Sequence, residues 1–170
     1  AGWKKYEYRW KRRGHDEYRH AGIRRLEDLN SVANQKVLVW CEQGLGDTIQ
    51  FGRYIPMLAT RGAEVIFEVQ APLKALMGSL TNCAVIGRDE PFEPVDCQLP
   101  LLSLPLLFGT ARTPIPNEVP YLRVGAAKVK FWNKQLDLSG RGLNIGIACS
   151  GNINHKNDHS RSIELQLFKP

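Results

Sequence analysis

Two stretches of the chain combine reactive side chains with backbone settings that expose them. The first is Glu42-Gln43-Gly44-Leu45-Gly46-Asp47-Thr48, a glycine turn between an apolar run and an amphipathic one. Open α/β sheets bind ligands at the carboxyl ends of their strands, so position alone marks this loop. It lacks the third glycine of the dinucleotide fingerprint, and Asp47 directly follows Gly46. A carboxylate there competes with phosphate for the helix N–H groups, which favours an acid exposed in a cleft over a phosphate cradle. Asp47 is therefore the candidate general base toward a sugar hydroxyl, its plain alternative being a helix-capping aspartate. Gln43, Gly44, Gly46 and Thr48 frame it. Glu42 is a second candidate, with a salt bridge in the loop as its alternative.

The second stretch runs from Ser150 to Ser162 (SGNINHKNDHSRS). Ser150, Gly151 and Asn152, together with a cation from Lys156 or Arg161, are suitable donors for a diphosphate. His155 and His159 stand four apart with Asp158 between them. That spacing suits a metal on a helix, but here it falls in an Asn-rich loop, so no metal site is expected. No D-x-D motif occurs anywhere in the chain.

The elements that must position these loops follow from hydrophobic periodicity. Lys36 to Cys41 is a nearly continuous apolar run, as expected for a strand covered on both faces of a parallel sheet. A helix from about Asp47 to Arg61 follows, with a kink expected at Pro56. Further strands are predicted at 64–69, 83–87, 95–99 and 143–150. Helices are predicted at 72–80, 101–108 and 125–138, with a short one at 22–29 and another starting at Ile163. Alternating strands and helices predict an α/β fold, a Rossmann-like parallel sheet flanked by helices with an N-terminal helical extension. In that extension Trp3, Tyr6 and Trp10 share one helical face, an aromatic stripe expected to pack on a neighbouring helix.

Composition narrows the classes. The chain has 170 residues, 43% of them hydrophobic and 24% charged, an ordinary globular composition that argues against a disordered chain. The formal charge is +6. Residues 1–25 hold nine Lys/Arg against three acids and so contain the whole excess, which argues against a nucleic-acid face across the fold. The longest apolar stretch, 99–108, is broken by Pro100 and Pro105, so no transmembrane segment is expected. Cys41, Cys83, Cys97 and Cys149 show no C-x-x-C spacing and read as reduced thiols in or beside strands, which suits a cytoplasmic protein.

At the two loops the sequence resembles a known family. Trp40 to Pro56 (WCEQGLGDTIQFGRYIP), Glu68 to Leu73 (EVQAPL) and Ser150 to Ile163 resemble bacterial tetratricopeptide-repeat proteins with a glycosyltransferase domain. That domain is similar to the heptosyltransferases of lipopolysaccharide synthesis, glycosyltransferase family 9. The stretch from Gly2 to Trp10 resembles the end of a last repeat helix. The resemblance implies a GT-B fold, with acceptor on an N-terminal and nucleotide sugar on a C-terminal Rossmann-like domain. It implies inverting transfer that needs no metal or other cofactor, with Asp47 matching the catalytic aspartate. Arg161 best and Lys156 second match the basic residue that contacts the donor diphosphate, and Ser150 and Gly151 match small residues near it. One departure is Glu164, where the family commonly has proline.

Three segments are expected on this reading: a repeat end and linker over 1–30, an acceptor-side domain over 31–140, and the start of a donor-side domain over 141–170. Both termini read as cuts, and the fragment alone is expected to be inactive. The expected partners are a nucleotide sugar and a glycan or protein acceptor. The competing expectation is a non-catalytic, repeat-linked module for protein interaction or nucleotide binding.

Overall fold

A computed structural model of the chain describes residues 2–11, 18–111, 115–136, 143, 145–151, 153 and 156–168. It divides into two compact units, residues 1–125 and 126–170. The first unit takes in both the expected linker region and the sheet.

The first unit is built on four parallel strands in the order β3-β2-β1-β4, with β1 Lys36–Trp40, β2 Glu64–Val69, β3 Cys83–Gly87 and β4 Cys97–Pro100. Leu38 aligns with Ile66 of β2 and Gln98 of β4, so β1 is interior and pairs on both sides. Four of its five residues are buried, as its unbroken apolar run requires. One face of the sheet carries Val37, Val39, Phe67 and Leu99 into the main core, against Ile55, Leu58 and Met77 of the crossover helices. The other face carries Leu38, Trp40 and Ile66, covered by Trp10, Tyr18, Ile23 and Phe92.

That second cover is irregular chain. No helix forms over 22–29; instead Arg25 makes a parallel bridge to Gln98, and the Leu26 N–H donates to the Gln98 carbonyl at 2.9 Å. The free edge of β4 offers backbone groups that need partners, and this satisfies them better than a short isolated helix would. The N-terminal helix α1 (Gly2–Tyr6) continues as a 3-10 turn, Glu7–Lys11. Its aromatic stripe docks within the unit, Trp3 edge-on to Phe51 and Trp10 against Trp40 and Tyr18.

The helix expected over 47–61 is two helices, α2 Leu45–Phe51 and α3 Tyr54–Ala59. The break falls at Gly52–Arg53 rather than at Pro56. Proline has no N–H and its ring crowds the carbonyl four residues back, so it is tolerated in a first turn and not in a helix interior. The freed Gly52 carbonyl accepts instead from the Ile55 N–H at 3.0 Å. After β2, a 3-10 turn (Ala71–Leu73) leads into α4 (Lys74–Met77), and after β4 another (Leu101–Ser103) leads into α5 (Leu104–Leu107).

The second unit holds α6 (Ala126–Leu136) and two 3-10 turns, Asp158–Ser160 and Leu165–Phe168. The helix expected from Ile163 is thus only the second of these turns. The strand expected over 143–150 is absent among the described residues. Leu143 and Ile145 are 86% and 74% exposed. An apolar run becomes a strand only where a neighbour takes its backbone groups, and no strand is described in this unit. Cys149, expected in or beside that strand, is in irregular chain among the described residues. Among the described residues no helix is long and apolar enough to cross a membrane.

All four cysteines are unpaired, and burial pushes the Cys83 thiol up to about 11, so it stays protonated and unreactive. Trp40 is buried, and its indole N–H donates to Gln98 Oε1 at 2.7 Å. Trp40→Ala is therefore expected to destabilise the first unit by roughly 3–5 kcal/mol, read as a lowered urea midpoint.

Candidate functional site

The carboxyl ends of the central strands are crowded with charge, nearly all of it matched internally. Glu42, just beyond β1, has a side chain only 1% exposed. Arg9 holds it bidentately, with Nε to Oε2 at 2.7 Å and Nη2 to Oε1 at 2.9 Å. The Leu102 N–H, just beyond β4, adds a third bond to Glu42 at 2.9 Å. Arg9 Nη2 also donates to Ser103 Oγ at 3.0 Å, while Nη1 donates to Glu7 at 2.8 Å and the Tyr6 carbonyl at 3.2 Å. Every N–H of the guanidinium is thereby used. The group also sits 4.6 Å from the centroids of both the Tyr6 and Trp10 rings. Burial opposes its charge, and Glu42 and Glu7 more than compensate, so Arg9 is held above its ordinary pKa.

The salt-bridge alternative for Glu42 is thus the one the structure shows; a carboxylate closed in this way is not presented to a cleft. Arg9 bridges the ends of β1 and β4, the place where the sheet's connections reverse direction and where open α/β sheets take their ligands. A parallel arrangement closes β2. Glu68 is buried and paired with Arg19, with His20 Nε2 at 2.9 Å, and Arg19 also donates to the Cys41 carbonyl at 2.9 Å. An acid spent in this way is not free to hold a ribose hydroxyl, which counts against a nicotinamide site.

Asp47 differs. It is the third residue of α2, partly exposed, and among the described residues it has no ion-pair partner. Its Oδ2 accepts from the Gly44 N–H at 3.0 Å, the side-chain half of a capping box whose other half a glycine cannot make. Gly44 and Gly46 are exposed, and a Cβ added at Gly46 would meet nothing within 4 Å, so the loop is open at that point. Gln43 donates from Nε2 to the Tyr6 hydroxyl at 2.6 Å. Thr48, the buried member, donates to Gln70 Oε1 at 2.9 Å. Burial, then Glu42 and Asp47, hold the Tyr6 phenol above its usual pKa against the pull of Gln43 and Arg9, so it stays protonated beside the loop.

In the second unit, described residues at the two ends of the second stretch bond to one another. Ser162 Oγ accepts from the Gly151 N–H at 3.0 Å and donates to Asp158 Oδ1 at 2.9 Å, and the Ile163 N–H donates to the Cys149 carbonyl at 2.7 Å. Ser150, Lys156, His159 and Arg161 are exposed. Asn152 and His155 lie outside the described residues. Among the described residues no group of three His, Cys, Asp or Glu side chains is placed to hold a metal.

The residues that sequence reading missed are Glu7, Arg9, Ser103 and Gln70. The available signal was slight: a lone arginine between Tyr6 and Trp10, and the Gln of EVQAPL. The larger cavity, about 420 Å³, is lined by Arg53, Met57, Phe108, Pro116 and Tyr121 among others and shares no residue with the 42–48 loop. Chemistry, and not hollow volume, marks Asp47.

Fold and site together define a Rossmann-like α/β domain in which Asp47, at the start of α2, has no ion-pair partner among the described residues. No protein-family model, no curated protein and no solved structure matches the chain.

Glu7 gives the network a pH signature. Burial works against its charge, but hydrogen bonds from Arg9, Arg25 and Ser103 outweigh it and hold the carboxyl below the usual range. A lowered native pKa contributes stability in full above the unfolded value, ~4.3, and loses it as pH falls through the native value. The stability gap between wild type and Glu7→Gln is therefore expected to be constant from pH 7 to about 5 and to shrink below that, measured by urea unfolding. A gap unchanged down to pH 3 would contradict this.

Proposed function

We propose that the chain is part of a glycosyltransferase that moves a sugar from a nucleotide-sugar donor to a hydroxyl acceptor with inversion, Asp47 acting as the base. The observation that carries the reading is the contrast among the acids: Glu42 and Glu68 are buried and paired with arginines, while Asp47 is partly exposed and, among the described residues, is bonded by a backbone N–H alone. In the reaction, Asp47 takes the acceptor hydroxyl proton as the oxygen attacks the anomeric carbon. The bond to the diphosphate breaks, and the nucleoside diphosphate leaves with the electron pair. Preorganised cations stabilise that leaving charge. This role falls to Arg161 and Lys156, with Ser150, Gly151 and Asn152 beside the phosphates, on the strength of the family resemblance. The acceptor this reading expects is a glycan or a protein hydroxyl.

One observation favours the second reading, a non-catalytic module. The place where the sheet's connections reverse is filled by Arg9, leaving Asp47 at its margin. The aromatic stripe, by contrast, no longer supports a docking role, since Trp3 and Trp10 pack within the unit.

The two readings separate in an assay of nucleoside diphosphate release by the full-length protein across ADP-, UDP-, GDP- and dTDP-sugars. Asp47→Asn keeps an oxygen for the Gly44 N–H, so folding is expected to be unchanged. Loss of a general base is expected to lower turnover by ~10²–10⁴-fold. Full activity in Asp47→Asn would remove Asp47 as base, and no release by folded wild type with any donor would favour the module.

A further inference from the structure

Gln70 follows β2 directly and is partly buried, with an extended backbone (φ −62, ψ 141) from which its carbonyl accepts the Leu73 N–H at 2.9 Å. Pro72 stiffens the turn that follows. Its side chain reaches across to the neighbouring strand's loop and makes two bonds there. Nε2 donates to the Gln43 carbonyl at 2.7 Å, and Oε1 accepts from Thr48 Oγ1 at 2.9 Å. A carbonyl only accepts, so the amide orientation is settled by its partner. Gln43 and Thr48 lie on either side of Gly44–Asp47, and the Thr48 N–H closes the same turn on the Gly44 carbonyl at 3.2 Å.

From this geometry we infer that Gln70 is the positioning residue of the Asp47 loop, its carboxamide tying both ends of the Gln43–Thr48 turn to β2. A carboxamide supplies a donor and an acceptor on one short planar group without changing protonation state, and asparagine is one methylene too short for the same span. The tie sets where the Asp47 carboxylate stands relative to the Gly44 N–H, and Tyr6 steadies the same turn through the Gln43 side chain. Its consequence for turnover rests on the reading of Asp47 as base; the tie itself does not.

The test is residue-resolved amide hydrogen exchange on the whole chain, comparing wild type, Gln70→Ala and Gln70→Glu. In Gln70→Ala, exchange at Gly44 and Thr48 is expected to quicken by ~10-fold, the loss of about one net hydrogen bond, while Leu38 and Phe67 in the strands keep their protection. Gln70→Glu still accepts from Thr48 but cannot donate to Gln43, and is expected to fall between the two. Unchanged exchange at Gly44 and Thr48 in Gln70→Ala would overturn the inference, and so would equal loss through β1 and β2, which marks a general role in folding. In the full-length enzyme, Gln70→Ala is expected to lower kcat with donor KM unchanged. If the exchange pattern holds while Asp47→Asn turns over normally, the tie stands and the reading of Asp47 falls.

Discussion

The buried pair between Arg9 and Glu42 is the constraint on which the rest of the first unit depends. Taking two charges out of water costs several kcal/mol per ion, and their attraction offsets this only when the remaining hydrogen-bonding capacity is met. Here it is met: five guanidinium N–H groups find acceptors, and Glu42 gains a backbone donor from Leu102. Glu68 is likewise buried against Arg19, with His20 beside it. Both acids stand at or just past the carboxyl ends of central strands, and the Arg9 and Arg19 guanidinium groups that pair with them come from the N-terminal segment. That segment is therefore part of the fold, and part of the positive excess in residues 1–25 is internal charge matching.

The same arrangement explains why, among the described residues, one face of the sheet is covered by turns and irregular chain rather than by an α-helix. Residues 18–26 cannot leave as a separate helix without stranding Glu68 and uncovering Trp40. They run instead as turns and a single bridge beside β4, where Gln98 takes up their backbone groups, the Tyr18 hydroxyl and the Trp40 indole. Between the two neutralised acids, the loop at 42–48 is held from three sides: by Arg9 at Glu42, by Tyr6 at Gln43 and by Gln70 at Thr48. Asp47 is left as the carboxylate that this scaffold presents.

Much of this was legible in the sequence where local pattern and tertiary demand agree. The unbroken apolar run at 37–40 admits little but a strand covered on both faces, and EVIFEV and CAVIG fell where expected. The pattern misled where a partner decides the outcome. LNIGIACS has strand composition, yet without a neighbour it remains exposed coil in the described residues. The helix at 47–61 divided because Gly52 and Pro56 act together, which propensity at either position alone does not show. In the site, Asp47 was visible from its place after Gly46. Arg9 was not, because nothing local tells a basic residue on an amphipathic segment from one that spans 33 positions to a buried glutamate.

The most direct measurement is a double-mutant cycle between Arg9→Met and Glu42→Gln, followed by urea unfolding at neutral pH. Directly bonded partners in a buried network couple by ~0.5–3 kcal/mol, and a fully satisfied pair belongs at the upper end. Each single change is expected to be severely destabilising and the double change to be much milder than their sum. Effects that add within ~0.5 kcal/mol would show that the two groups do not depend on one another, and the N-terminal segment would then have to be held in place by its aromatic contacts alone.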